Sequence, residues 1–233
     1  MQVCIFNRSL KNFINDQSSQ ESFRGNMPES FDLDKVKNYF TEKLNEYNAT
    51  YRGVDWPTVE SQEIRFSQLL RVIDADKRYS LLDFGSGYGA IYDYLVRLGH
   101  KLYYVGYDIV EPMIAKGYEL HLDDPNCWFT SDIHEVPVVD YVVVSGAFNM
   151  KLDADFDTWT QIVIKALNQM NAHTAKGIAF NMLTKYSDAD RMRQDLYYGD
   201  PGFFFDYCKR NFSRNVALLH DYNLYDFTIL VRK

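Results

Sequence analysis

The chain has 233 residues, 46% of them hydrophobic and 16% aromatic, enough to bury one sizeable core and too few for two full domains. A net charge of −7 gives no long-range attraction for a nucleic-acid backbone or an anionic lipid surface. Cys4, Cys127 and Cys208 are scattered and form no C-x-x-C spacing, which disfavours a disulfide framework or a zinc site, and no apolar run has the length of a membrane span or signal sequence, so a soluble cytoplasmic protein with no metal is expected.

Residues 1–33 are rich in Ser, Asn and Gln and read as an extension, partly ordered by docking. From Asp34, Val36, Tyr39, Phe40, Leu44 and Tyr47 recur on one helical face, which closes an N-terminal region of residues 1–57. Thr58 is placed to cap a second helix with the buried stripe Phe66, Leu69, Leu70 and Ile73, and Gln62 and Arg65 share one side of it. The pattern then alternates. The run "YSLLDF" reads as a strand, "AIYDYLVRLG" as a helix ended by Gly99, and "KLYYVGYD" as a second strand, which is a βαβ unit. A helix near 111–120 follows, then the strands "CWFTSD" and "YVVVSG", a long helix over "FDTWTQIVIKALNQM" and the strand "GIAFNML". Strands alternating with helices imply a parallel sheet covered on both faces. Ser187 is expected to cap a short helix carrying Arg191 and Arg193, and Asp200-Pro201 to open a helix through "FFFDYCKRN". Two β-rich runs split at Asn223 end the chain as a hairpin.

The informative stretch is "LLDFGSGYGA", residues 81–90. Gly85, Gly87 and Ala90 fit the dinucleotide pattern G-x-G-x-x-G/A, with Asp108 about 20 residues on for a ribose, so an NAD site is one reading. Asp83, two residues before the first glycine, tilts the choice: a carboxylate there repels a pyrophosphate and suits an ammonium group. In this order and spacing, D-F-G-S-G-Y-G with Asp108, "SD" at 131–132 and "DYVVVSGAF" resembles the class I S-adenosylmethionine-dependent methyltransferases over residues 58–233. The resemblance implies an α/β, three-layer Rossmann-like fold with a seven-stranded, mostly parallel sheet and an antiparallel C-terminal hairpin. It implies S-adenosyl-L-methionine as cofactor, held by a set comprising Asp83, Gly85, Ser86, Gly87, Tyr88, Asp108, Ile109, Asp132, Ile133 and Ser145, with Arg65 for the cofactor's carboxylate.

Methyl transfer from a sulfonium needs alignment and, for a weak acid, removal of a proton, so catalytic groups are expected beyond the carboxyl ends of the later strands. His220 is the base candidate because histidine is the side chain type suited to proton transfer near neutral pH, and Asn149 and Tyr198 complete the catalytic set. The aromatic-rich segment 184–205 reads as a substrate lid in which Tyr197 and Tyr198 face the acceptor. The expected activity is methyl transfer to O or N of a small organic acceptor. A nucleic-acid methyltransferase and a non-catalytic S-adenosylmethionine- or NAD-binding protein stay open, although the loop "SGAFN" lacks the N/D-P-P-Y/F element that grips a flipped base.

Overall fold

The computed structural model describes residues 32–74 and 76–233; the first 31 residues, with Cys4, lie outside them. Helix α1 (Asp34–Tyr47) buries Val36 and Leu44, and Leu44 packs with Tyr88, Val110 and Met113. Val54 and Phe40 join the same cluster. The compact unit therefore begins at Asp32 rather than at residue 58, because the apolar stripe of α1 is satisfied by the body of the fold.

Helix α2 (Val59–Leu69) starts where expected, with the Thr58 hydroxyl accepting the Ser61 N–H at 3.1 Å. Then come β1 (Tyr79–Phe84), α3 (Ala90–Arg97), β2 (Leu102–Tyr107), α4 (Glu111–Leu120), β3 (Cys127–Thr130) and β4 (Val139–Val144). The chain continues through α5 (Phe156–Ala172), β5 (Thr174–Leu183), α6 (Pro201–Asn211), β6 (Asn215–Leu219) and β7 (Asp226–Arg232). The seven strands lie in the order β3-β2-β1-β4-β5-β7-β6, with every neighbour pair parallel except the two made by β7.

Both faces of the sheet are covered, which is why its central strands read as continuous apolar runs. Leu81, Tyr141, Val143, Ala179 and Leu230 share one face with Phe66 and Leu69 of α2, Ile91 and Leu95 of α3 and Ile114 of α4. Helix α5 lies against β5, and α6 lies against β6 and β7, burying Phe204 and Cys208. The order reverses between β1 and β4, so a crevice opens at their carboxyl ends, where open α/β sheets bind ligands. No described helix is long and apolar enough to cross a membrane.

Candidate functional site

The crevice is floored by the turn from β1 into α3. Gly85 and Ser86 donate their N–H groups to the Tyr107 carbonyl at 2.7 and 3.0 Å, which fastens the turn to the end of β2. Asp108 follows directly. Its Oδ2 accepts the Gly87 N–H at 2.8 Å and its Oδ1 the Val110 N–H at 2.9 Å. Each carboxylate oxygen keeps a second lone-pair direction for a ligand hydroxyl.

Asp83 is 3% exposed and accepts the Tyr104 hydroxyl at 2.8 Å. Burial pushes its carboxyl up to about 7; the Tyr104 hydrogen bond opposes the rise and the Asp108 charge adds to it. Burial raises Asp108 as well, against the two amides that it accepts. No Lys, Arg or His pairs with either acid among the described residues, so the turn is flanked by two buried carboxyls without a cation.

Above the turn lies the connection 48–57, which has no counterpart among the expected site residues. Asp55 takes a left-handed conformation (φ 59°) and is held by the Tyr39 hydroxyl at 2.8 Å and Lys43 at 2.9 Å. This sets Val54 over Gly87 and Trp56 over Gly146: a Cβ added at Gly87 would lie 2.9 Å from Val54 Cγ1, and one at Gly146 would lie 2.5 Å from the Trp56 ring. The Arg65 guanidinium sits 4.3 Å from the centre of the Trp56 ring. The trace of this roof in the sequence is Trp56-Pro57 between two amphipathic helices, too little to place it.

The loop after β4 forms the far wall. A Cβ added at Gly85 would lie 2.6 Å from that of Ala147, so the loop and the glycine turn touch. The Gly146 N–H donates to Asn181 Oδ1 of β5 at 2.8 Å. Asn149 is also a clip: its Oδ1 accepts the Leu183 N–H at 3.0 Å and its carbonyl accepts the Tyr197 N–H at 2.8 Å.

A Mycobacterium tuberculosis (strain ATCC 25618 / H37Rv) protein named "Putative methyltransferase Rv1506c" is 43% identical over 164 residues, which span 70% of this chain and 99% of the relative. The fold matches the solved DhpI–SAM–HEP complex with a TM-score of 0.60 at 16% identity, over 86% of this chain and 97% of that one. The chain belongs to the class I S-adenosylmethionine-dependent methyltransferases. Similar in fold is NodS, an N-methyltransferase of Bradyrhizobium japonicum WM9 solved with S-adenosyl-L-homocysteine (TM-score 0.58, 14% identity, 85% of this chain and 98% of that one). Another is the 1,6-didemethyltoxoflavin-N1-methyltransferase of Burkholderia thailandensis, solved with 1,6-didemethyltoxoflavin and S-adenosylhomocysteine (TM-score 0.58, 15% identity, 90% and 93%). No family profile matches the chain.

In this methyltransferase Arg65 is not a free cation. Its Nε and Nη2 hold Asp226 of β7 at 3.1 and 2.5 Å and its Nη1 donates to the Ser61 carbonyl at 2.8 Å, because β7 brings a buried carboxylate under α2. Tyr88 is 7% exposed and its ring belongs to the cluster that docks α1, with Ile109 packed beside it. The Ser86 hydroxyl donates to the Gly87 carbonyl at 3.2 Å. Asp132 is exposed and caps the single 3-10 turn Ile133–Glu135 through the His134 N–H at 2.9 Å, and Ile133 is half-buried.

The segment 184–205 is tied down at several points. Backbone bridges join Thr184 to Gly199 and Met150 to Leu196, and residues from Pro201 on belong to α6. Tyr197 faces the core rather than an acceptor: it is 1% exposed, stacks on Phe156 with ring centres 4.9 Å apart, and shares a hydrogen bond with Thr160 at 2.8 Å. The Tyr198 hydroxyl accepts the Arg193 N–H at 2.9 Å. The helix expected to carry Arg191 and Arg193 shrinks to one turn, Ala189–Arg191, because the segment spends its backbone on those bridges and on the Lys185 N–H to Gly199 carbonyl bond. His220 is exposed at the entry to the C-terminal hairpin turn, 6.1 Å from the Tyr186 ring and 6.4 Å from that of Phe227.

Gly87 has φ 55°, so a side chain there meets strain as well as Val54. Gly87→Val is expected to lower stability by about 1–2 kcal/mol and to weaken cofactor binding, read from the shift of the thermal midpoint and by calorimetry. An unshifted midpoint would mean that loop 48–57 yields freely.

Proposed function

We propose that this chain transfers the methyl group of S-adenosyl-L-methionine to an oxygen or nitrogen of a small organic acceptor. The observation that carries the cofactor half is the pair of buried carboxyls, Asp83 and Asp108, on either side of a glycine turn at the switch point of the sheet. Such a pair fits a ligand with an ammonium at one end and a ribose at the other, and disfavours a pyrophosphate. When bound, the cofactor supplies an activated methyl on a sulfonium. Asp108 would hold the ribose hydroxyls, Asp83 the ammonium, and Asp132 with Ile133 the adenine edge. Gly85, Ser86 and Gly87 would form the backbone edge along which the ligand lies.

The small-molecule half of the reading is supported by the net charge of −7 and by the 1,6-didemethyltoxoflavin bound in one enzyme of similar fold. Val54 and Trp56 roof the turn and the loop after β4. Asn149 positions the wall after β4, Tyr198 braces the neighbouring segment, and His220, just past the carboxyl end of β6, is the proposed base. Titrating S-adenosylhomocysteine and NAD by calorimetry tests the cofactor assignment, and preference for NAD would overturn it. Once an acceptor is in hand, His220→Ala should depress kcat by roughly 10²–10⁴-fold with little change in KM. A loss below tenfold would remove the base role.

The raised carboxyl of Asp83 has a signed consequence. Its folded pKa of about 7 lies above the unfolded carboxylate value of about 3.9, so the folded state holds the proton longer. Stability of the ligand-free protein should therefore fall as pH rises from about 4 to about 7, while affinity for S-adenosylhomocysteine rises over the upper part of that range as Asp83 ionises. Asp83→Asn should flatten both trends, and a pH-independent wild-type affinity would contradict the ammonium role.

A further inference from the structure

Among the described residues, two polar groups in the far wall of the crevice have no hydrogen-bond partner: the hydroxyl of Ser145 and the Nδ2 of Asn181. Buried unmet donors are costly and rare, and those that persist point to a partner missing from the ligand-free protein. These two are neighbours. Val144 pairs with Phe180, so the next residues, Ser145 and Asn181, meet across β4 and β5, and the Gly146 N–H to Asn181 Oδ1 bond fixes which side of the amide carries the donors. Asn181 is fully buried, Trp56 roofs Gly146, and Ala147 abuts the glycine turn, so both groups belong to the same crevice.

Their position along the sheet edge decides what they would meet. Asp108 lies at the end of β2, Asp83 and the glycine turn at β1, Ser145 at β4 and Asn181 at β5, with strands spaced about 4.8 Å apart. A ligand whose ribose rests on Asp108 and whose sulfur passes over the glycine turn ends at Ser145 and Asn181. Both orphaned groups are donors, and neither is charged. Arg65, which lies against the Trp56 ring that roofs Gly146, is committed to Asp226.

We propose that the Ser145 hydroxyl and Asn181 Nδ2 together bind the carboxylate of the cofactor's amino-acid end, so that this carboxylate is held by neutral donors and not by a salt bridge to Arg65. This rests on the cofactor assignment above. It also accounts for the two donors being left unmet in the ligand-free protein, because the ligand completes them.

The test compares S-adenosylhomocysteine with 5′-deoxy-5′-methylthioadenosine, which shares the nucleoside and thioether but lacks the amino-acid end. In calorimetric titrations, Ser145→Ala and Asn181→Leu should each weaken S-adenosylhomocysteine about 10–100-fold and leave methylthioadenosine within about twofold of wild type. The thermal midpoint of ligand-free Ser145→Ala should hold or rise, since the variant removes an unsatisfied hydroxyl. Asn181→Leu also strands the Gly146 N–H. If that variant does not fold, Ser145→Ala decides alone. Unchanged S-adenosylhomocysteine affinity, or equal weakening of both ligands, overturns the proposal. Failure of the wild type to bind either ligand would instead overturn the cofactor assignment.

Discussion

Arg65→Ala is expected to destabilise the protein by about 3–5 kcal/mol, the range for removing one member of a buried ion pair. Asp226 is 1% exposed and receives two guanidinium hydrogen bonds, so the truncation leaves a carboxylate with neither water nor a cation. Trp56 loses the cation it rests against, and connection 48–57 loosens with it. Lysine is not an adequate replacement, because one ammonium cannot reproduce the forked contact to both carboxylate oxygens. The double variant Arg65→Ala/Asp226→Ala should recover part of the loss, since it removes the stranded charge. Chemical denaturation of the wild type, Arg65→Ala, Asp226→Ala and the double variant gives the cycle. A loss under about 1 kcal/mol for Arg65→Ala would show that water reaches Asp226 and that the pair does not organise this end of the sheet.

Asp108→Ala should weaken S-adenosylhomocysteine about 10²–10³-fold, on the order of two charge-assisted hydrogen bonds to the ribose. The carboxylate does two things at once, because it already accepts the N–H groups of Gly87 and Val110. Its removal frees both amides, and a fall in the thermal midpoint of the ligand-free variant is expected alongside the loss of affinity. Asp108→Asn separates the two effects. It keeps an acceptor for one amide, so the midpoint should recover further than the affinity. Wild-type affinity in Asp108→Ala would remove this residue from the cofactor site.

The glycine turn, the acids around it and the alternation of strands and helices were legible from residue order, because they are local. A glycine-rich break after an apolar strand encodes its own turn, and an amphipathic stripe encodes its own helix. That is why Asp83, Asp108, the Thr58 and Asp200 caps and the C-terminal hairpin stand where the sequence indicates. Tertiary structure alone decided what lies far apart in the chain. Arg65 meets Asp226 across 161 residues, so a side chain that reads as a free cation is engaged in a buried pair. Trp56 and Val54 became the roof of the crevice because α1 docks on Met113 and Val110. Tyr197, expected to face an acceptor, entered the core because Phe156 and Thr160 of α5 meet it. The same limit hid the unmet amide donor of Asn181. Within β5 it is one polar residue in an apolar run, and its unmet donor beside Ser145 exists only once β4 and β5 are paired.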